Sequence, residues 1–188
     1  MEDLEGYHAC VALVAAERRH IGRIEAPPLE DSRKWMRSVI EASYPFFVVT
    51  DASTVVGWCD VGRRDAEGFR HTAELGMGLR AEARRRGLGA QLLDRAIEAS
   101  RRRGVEKLEL QVYASNVAAR RLYERFGFVV EGTRVRARKL DGKYDDVILM
   151  GLFLTANSEA DSRRSSARRL TRTSGVVKKA RRKGRAVR

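Results

Sequence analysis

The sequence predicts an α/β fold, a mixed sheet flanked by helices, rather than a helical bundle or a β-sandwich. Two patterns carry that prediction: strand-like and helix-like segments alternate from Phe46 onward, and the last two strands read as a hairpin across LDGK. Ahead of them, YHACVALVAAERR (Tyr7 to Arg19) sets Ala9, Leu13 and Ala16 at helical spacing. A second helix is expected from Leu29 to Ser43, separated from the first by Pro27 and Pro28. Pro45 ends it and opens FFVVTD, a buried strand that a turn at Ala52 and Ser53 joins to a second strand ending near Gly62. RRDAEGFR reads as a polar loop leading into a strand from His71 to Leu79. The helix from Gly87 to Arg103 has Leu88, Leu92, Leu93, Ala96 and Ile97 on one face and stops at Gly104. In KLELQVY, Leu108, Leu110 and Val112 alternate with Glu109, Gln111 and Tyr113, as in a strand with one apolar face. A helix from Asn116 to Phe126 ends at Gly127, and Phe128 to Arg138 then pairs with Lys143 to Phe153 about the Asp141-Gly142 turn.

A chain of 188 residues can bury the core of one domain and still carry an appendage, and its charge divides it. Of the net +13, residues from Asp161 onward carry +11, with 12 Lys or Arg against one acidic residue. We therefore expect a folded domain over residues 1–157 and a basic, disordered C-terminal tail over 158–188, which lacks the apolar surface to offset its ordering entropy. The tail's charge suits RNA, DNA, anionic lipid or acidic protein, with binding that weakens as salt rises; a solvated extension with no partner is an equal reading. No aromatic residue is interleaved to stack on bases, so any nucleic-acid contact is expected to be weak and unspecific. Cys10 and Cys59 make no disulfide framework, and no Cys/His cluster has zinc spacing, so no metal site is expected. With no signal peptide and no apolar run of spanning length, a cytoplasmic protein is expected.

The chemistry concentrates in HTAELGMGLRAEARRRGLGAQLLDRAIEA, residues His71 to Ala99. A strand containing two glycines, Gly76 and Gly78, leads to a turn that opens an amphipathic helix. The first N–H groups of a helix lack partners and carry partial positive charge, so an anion is favoured there. Gly87 and Gly89 clear Cβ atoms from the approach, while Arg84, Arg85 and Arg86 add charge suited to phosphate oxygens. A Rossmann fingerprint would need glycine where Leu92 stands, and a P-loop would need a Lys-Ser or Lys-Thr pair.

What remains, Arg84-x-x-Gly87-x-Gly89, resembles the coenzyme A pyrophosphate loop of the GNAT (GCN5-related N-acetyltransferase) superfamily. ASNVAARRLYERFGFVVEG resembles the superfamily's closing motif through Asn116, Ala119, Leu122, Tyr123, Gly127 and Phe128. The resemblance runs from about Phe46 to Phe153 and is nearest the bacterial branch of small-amine, amino-acid and ribosomal-protein acetyltransferases. It implies a mostly antiparallel sheet with a V-shaped split between central strands. Members usually begin with a strand before the first helix; here Met1 falls almost at that helix, so either the strand is missing or the true start lies upstream.

The resemblance also implies an acetyl-CoA-dependent N-acetyltransferase, with acetyl-CoA as acyl donor and a primary amine as acceptor. By that reading Met77, Gly78 and Leu79 pair with the pantetheine arm, and the turn Arg84, Arg85, Arg86, Gly87, Leu88, Gly89 and Ala90 takes the pyrophosphate. Asn116 and Ala119 lie near the pantetheine, and Tyr123 is the general acid. In the ribosomal-protein branch a glutamate base falls where this chain has Gln111, which cannot take a proton at neutral pH. Glu74, two residues before Gly76 on the same side of its strand, is the base we expect, with Glu109 or water as alternatives. Cys59 has no evident activating base, which favours direct attack in a ternary complex over a covalent intermediate. The acceptor is expected to be a small molecule or amino acid, with a protein N-terminus second. A non-enzymatic acyl-CoA or nucleic-acid module working through the tail is the reading from another class. Family analogy extends to a homodimer.

Overall fold

The structure, a computed structural model, describes residues 2–64, 66–154 and 176–180. Helices α1 (Leu4–Ala16) and α2 (Leu29–Glu41) precede strands β1 (Phe46–Asp51), β2 (Thr54–Arg63) and β3 (Thr72–Leu79). Then come α3 (Leu88–Arg102), β4 (Lys107–Tyr113), α4 (Val117–Arg125), β5 (Val129–Leu140), β6 (Lys143–Phe153) and β7 (Val176–Lys179). The strands form one sheet in the order β5-β6-β4-β3-β2-β1-β7, in which β3–β4 is the parallel pair and the other pairings are antiparallel. Among the described residues no helix is long and apolar enough to cross a membrane.

Each sheet face packs a layer of helices. On one face α1 and α2 bury Tyr7, Cys10 and Met36 against Phe46, Val48 and Trp58 of β1 and β2. On the other, Leu88, Leu92 and Leu93 of α3 and Tyr123 of α4 meet Cys59, Leu75 and Leu110. The β5–β6 hairpin turns through Asp141 (φ 50°) and Gly142 (φ 74°), two left-handed residues whose twist suits a tight hairpin, as the Asp-Gly pair predicts.

Helix α1 differs from expectation in its buried face. Leu4, Tyr7, Val11 and Val14 face the sheet, whereas Leu13 is half exposed. LEGYHACVALVAA is apolar nearly all round, so its spacing does not single out one face.

The tail also requires correction. Residues 176–180, expected to be disordered, pair with β1 in the register Phe47↔Lys179 to Thr50↔Val176. Ala180 N–H donates to Phe46 O at 2.9 Å, Lys178 Nζ pairs with Asp3 Oδ1 at 2.7 Å, and Val177 and Ala180 are buried. The strand occupies the outer edge of β1. A short apolar pair within a basic run vanishes in a composition average, yet an open strand edge gives it partners. The rest of the tail lies outside the described residues. Val177→Asp places an unpaired charge in this layer and is expected to destabilise the fold by about 2 kcal/mol, lowering Tm by about 4–8 °C in a thermal melt.

Candidate functional site

β3 and β4 pair over three rungs, Thr72↔Lys107 to Glu74↔Glu109. Beyond them β3 stays with β2 as far as Leu79↔Gly57, and β4 stays with β6 as far as Tyr113↔Val147. The two halves of the sheet therefore part, and a cleft of about 930 Å³ opens between them. Arg80 N–H donates to Val56 O on β2 at 2.9 Å, so strand alternation turns the peptide groups of Leu75, Met77 and Leu79 toward the cleft. The Leu79 carbonyl is taken by Arg84, at 3.0 Å from Nε and 2.8 Å from Nη2. Among the described residues, the Met77 N–H and C=O have no strand partner on the cleft side.

The loop after β3 passes through a short 3-10 turn, Ala81–Ala83, and two left-handed residues, Arg85 (φ 59°) and Gly87 (φ 75°), before α3 begins. Gly87 O accepts from Ala90 N–H at 3.1 Å and Gln91 N–H at 3.2 Å. The Leu88 and Gly89 N–H groups are thus first-turn donors, and no acidic side chain of that turn offsets their charge. The arginines divide. Arg84 and Arg85 line the cleft, but the Arg84 guanidinium is also clamped by Glu17, with Nη1 2.7 Å from Oε2. Arg86 pairs with Asp51 at 2.7 Å, and the Leu88 side chain lies in the core; neither is among the described cleft residues. Met77, Gly78, Leu79, Gly87, Gly89 and Ala90 are.

The glycines of ELGMGL have a second cause besides ligand approach. A Cβ at Gly78 would collide with the Trp58 ring, and one at Gly76 would stand 3.2 Å from Asp60 Oδ1. Both make room for side chains crossing from β2.

At the other end of the cleft, Glu74, Gln111 and Arg134 form a line across β3, β4 and β5. Gln111 Nε2 donates to Glu74 Oε1 at 3.5 Å, and Arg134 Nη1 donates to Gln111 Oε1 at 3.5 Å. One carboxamide thus separates an anion from a cation. Glu109 instead faces Lys107 at 3.0 Å and Arg64 at 3.1 Å, and is not among the described cleft residues. Asp60, which the sequence reading passed over, sits on β2 opposite Gly76. Burial pushes its carboxyl up to about 7, against a lowering hydrogen bond from Trp58, and the Glu74 charge adds to the rise. An acid inside the apolar run TVVGWCDVG is the signal that could have flagged it.

From α4, Tyr123 is buried and lines the cleft, its ring 5.7 Å from that of Phe128. Burial, then nearby Cys59, push its hydroxyl well above the ordinary phenol range, so it stays protonated. The Cys59 thiol is likewise pushed up, by burial and by the Asp60 charge, which leaves no thiolate at neutral pH. Asn116 caps α4, its Oδ1 accepting from Ala119 N–H at 3.2 Å, and both residues line the cleft.

His20, Ile21 and Gly22, between α1 and α2, line the cleft, as do Arg134 and Arg138 of β5. Arg18 meets Asp141 at 2.6 Å, and Arg138 donates to Arg18 O at 2.6 Å while its guanidinium lies 4.7 Å from the Tyr113 ring centroid. The exposed ion pair contributes little, whereas Arg138 satisfies a carbonyl and covers a ring. Arg138→Ala is therefore expected to speed amide exchange over residues 18–24 severalfold, and Asp141→Ala to change it less than twofold.

A family model described as the acetyltransferase (GNAT) family matches residues 11–128. The L-methionine sulfoximine/L-methionine sulfone acetyltransferase of Pseudomonas paraeruginosa is 31% identical over 134 residues, 70% of this chain and 78% of that protein. Among solved structures, the ribosomal-protein-alanine N-acetyltransferase from Brucella melitensis is similar with a TM-score of 0.76 at 29% identity, covering 81% of this chain and 94% of that one. A GNAT superfamily phosphinothricin acetyltransferase from Sinorhizobium meliloti, solved in complex with AcCoA, shares the fold with a TM-score of 0.76 at 18% identity, covering 81% of this chain and 83% of that one. With its parted central strands and the helix N-terminus at their mouth, the chain belongs to the GNAT acetyltransferase family.

Proposed function

We propose that the protein moves the acetyl group of acetyl-CoA to the primary amine of a small molecule or amino acid, by direct attack in a ternary complex. The observation that carries this reading is the parting of β3 from β4, which runs from the α3 N-terminus to the line Glu74, Gln111, Arg134. In it the pyrophosphate meets the first-turn N–H groups of α3, and the pantetheine pairs with Met77 as the strand that β3 lacks on that side.

Glu74 takes the proton of the acceptor ammonium. The freed lone pair attacks the thioester carbonyl carbon, and the oxyanion so formed faces the Met77 N–H. On collapse the C–S bond breaks and Tyr123 gives its proton to the departing sulfur. Because burial disfavours a phenolate, Tyr123 regains a proton from the new amide nitrogen as the first is lost. The buried, protonated Cys59 supports direct attack rather than an acyl-enzyme.

An α-amino acid carries an ammonium and a carboxylate side by side, as Glu74 and Arg134 stand on either side of Gln111. This supports the amino-acid class over a plain amine and agrees with the activity named for the Pseudomonas relative. A protein N-terminus is the second reading, favoured by the likeness to the Brucella enzyme. The α1–α2 connection, tied to β5 by Arg138 on the Arg18 carbonyl, limits that mouth and favours the smaller acceptor.

A panel of free amino acids, including methionine sulfoximine, compared with N-terminal peptides tests the choice: thiol release with free amino acids alone is expected, and release with peptides alone would reverse it. Tyr123→Phe is expected to lower kcat about 100-fold while leaving the acetyl-CoA Kd within about twofold by calorimetry. Gly89→Val crowds Leu79 at 3.2 Å and Leu122 at 3.3 Å, lifting α3 from β3, and is expected to weaken acetyl-CoA at least about tenfold.

A further inference from the structure

Asp60 and Glu74 lie on adjacent strands on the sheet face that packs α1. β2 and β3 set Asp60 beside Gly76 and Gly62 beside Glu74, so the two acids are one diagonal step apart. Asp60 leans over Gly76, where even a methyl group would stand 3.2 Å from its Oδ1 and 3.4 Å from its Oδ2. Gly76 itself lines the cleft, as does Glu74. The carboxyl is therefore held just behind the wall at the point where the acceptor must lose a proton. We infer that Asp60 is a positioning residue for the transfer: its carboxyl, behind Gly76, draws the acceptor ammonium to Glu74, which takes the proton.

The Glu74 charge acts on Asp60 across that diagonal, after burial and the Trp58 hydrogen bond. Among the described residues, Tyr7 of α1, which stays protonated, and Cys59 of β2 also interact with Asp60, and Trp58 of β2 gives it a hydrogen bond. None is a cation bound to Asp60, so its charge is balanced chiefly by its proton. When that proton leaves, the negative charge behind Gly76 holds the acceptor ammonium beside Glu74. Glu74 then takes a proton from it: one N–H bond breaks and one O–H bond forms on Glu74. After the amide has formed, Glu74 returns that proton to solvent. The raised titration of Asp60 puts the change near neutral pH.

This inference rests on the acetyl-transfer reading and is tested by the pH profile of kcat/KM together with a carbon-13 titration of the Asp60 carboxyl in the whole, unmodified chain. Expected are a rising activity limb with an apparent pKa near 7, Asp60 titrating in the same range, and loss of that limb in Asp60→Asn with about a tenfold fall in kcat/KM at pH 8. An Asp60→Asn enzyme with the wild-type profile overturns this role of Asp60 while leaving the acetyl-transfer reading intact. So does an Asp60 carboxyl in the wild-type chain that titrates near 4, a result that stands even if the variant fails to fold. If the wild-type chain releases no thiol from acetyl-CoA with any amine, the reading itself falls and the role of Asp60 falls with it.

Discussion

The organising constraint is a sheet that stops pairing at its centre. Three parallel rungs join β3 to β4, and then the strands separate while each keeps its outer neighbour. Peptide groups left open inside a protein cost about 1–3 kcal/mol each when nothing satisfies them. In this chain the cost is limited from within at one place, where Arg84 takes the Leu79 carbonyl. The same guanidinium is held by Glu17 at the end of α1. One side chain thus fixes the end of β3, the start of the glycine turn and the base of the α1–α2 connection, while among the described residues the Met77 peptide group has no strand partner on the cleft side.

Much of this was legible in sequence because it is local. Gly87 marks the start of one helix, Asn116 the start of another, and Asp141-Gly142 a hairpin; each answers to its own neighbours within a few residues. The alternation in KLELQVY correctly sets Leu108, Leu110 and Val112 toward the core, and polarity alone accounts for it. The split itself entered through resemblance, since no periodicity records that two strands will stop pairing.

The misreadings are of a different kind. The charge run RRRG suggested three guanidiniums for one anion, yet Glu17, 67 residues upstream of Arg84, and Asp51, 35 upstream of Arg86, draw on two of them. Gly76 and Gly78 looked like clearance for a ligand, and they also clear Asp60 and Trp58 of the next strand. Partners that meet only in the folded sheet leave no mark on local spacing. Asp60 is the sharpest case: an acid within an apolar strand was visible, but only its place behind Gly76 gives it a neighbour in Glu74.

The position of β7 bears on how the protein comes into being. Synthesis proceeds from the N-terminus, so every part of the cleft is made before Val176 to Ala180, and β1 presents an unpaired edge throughout that interval. A nascent chain can therefore acquire its ligand site while its sheet still offers a template for association with another polypeptide. Pairing of β7 with β1 covers that edge, so the fold most needs protection from its neighbours before Val176 to Ala180 are in place.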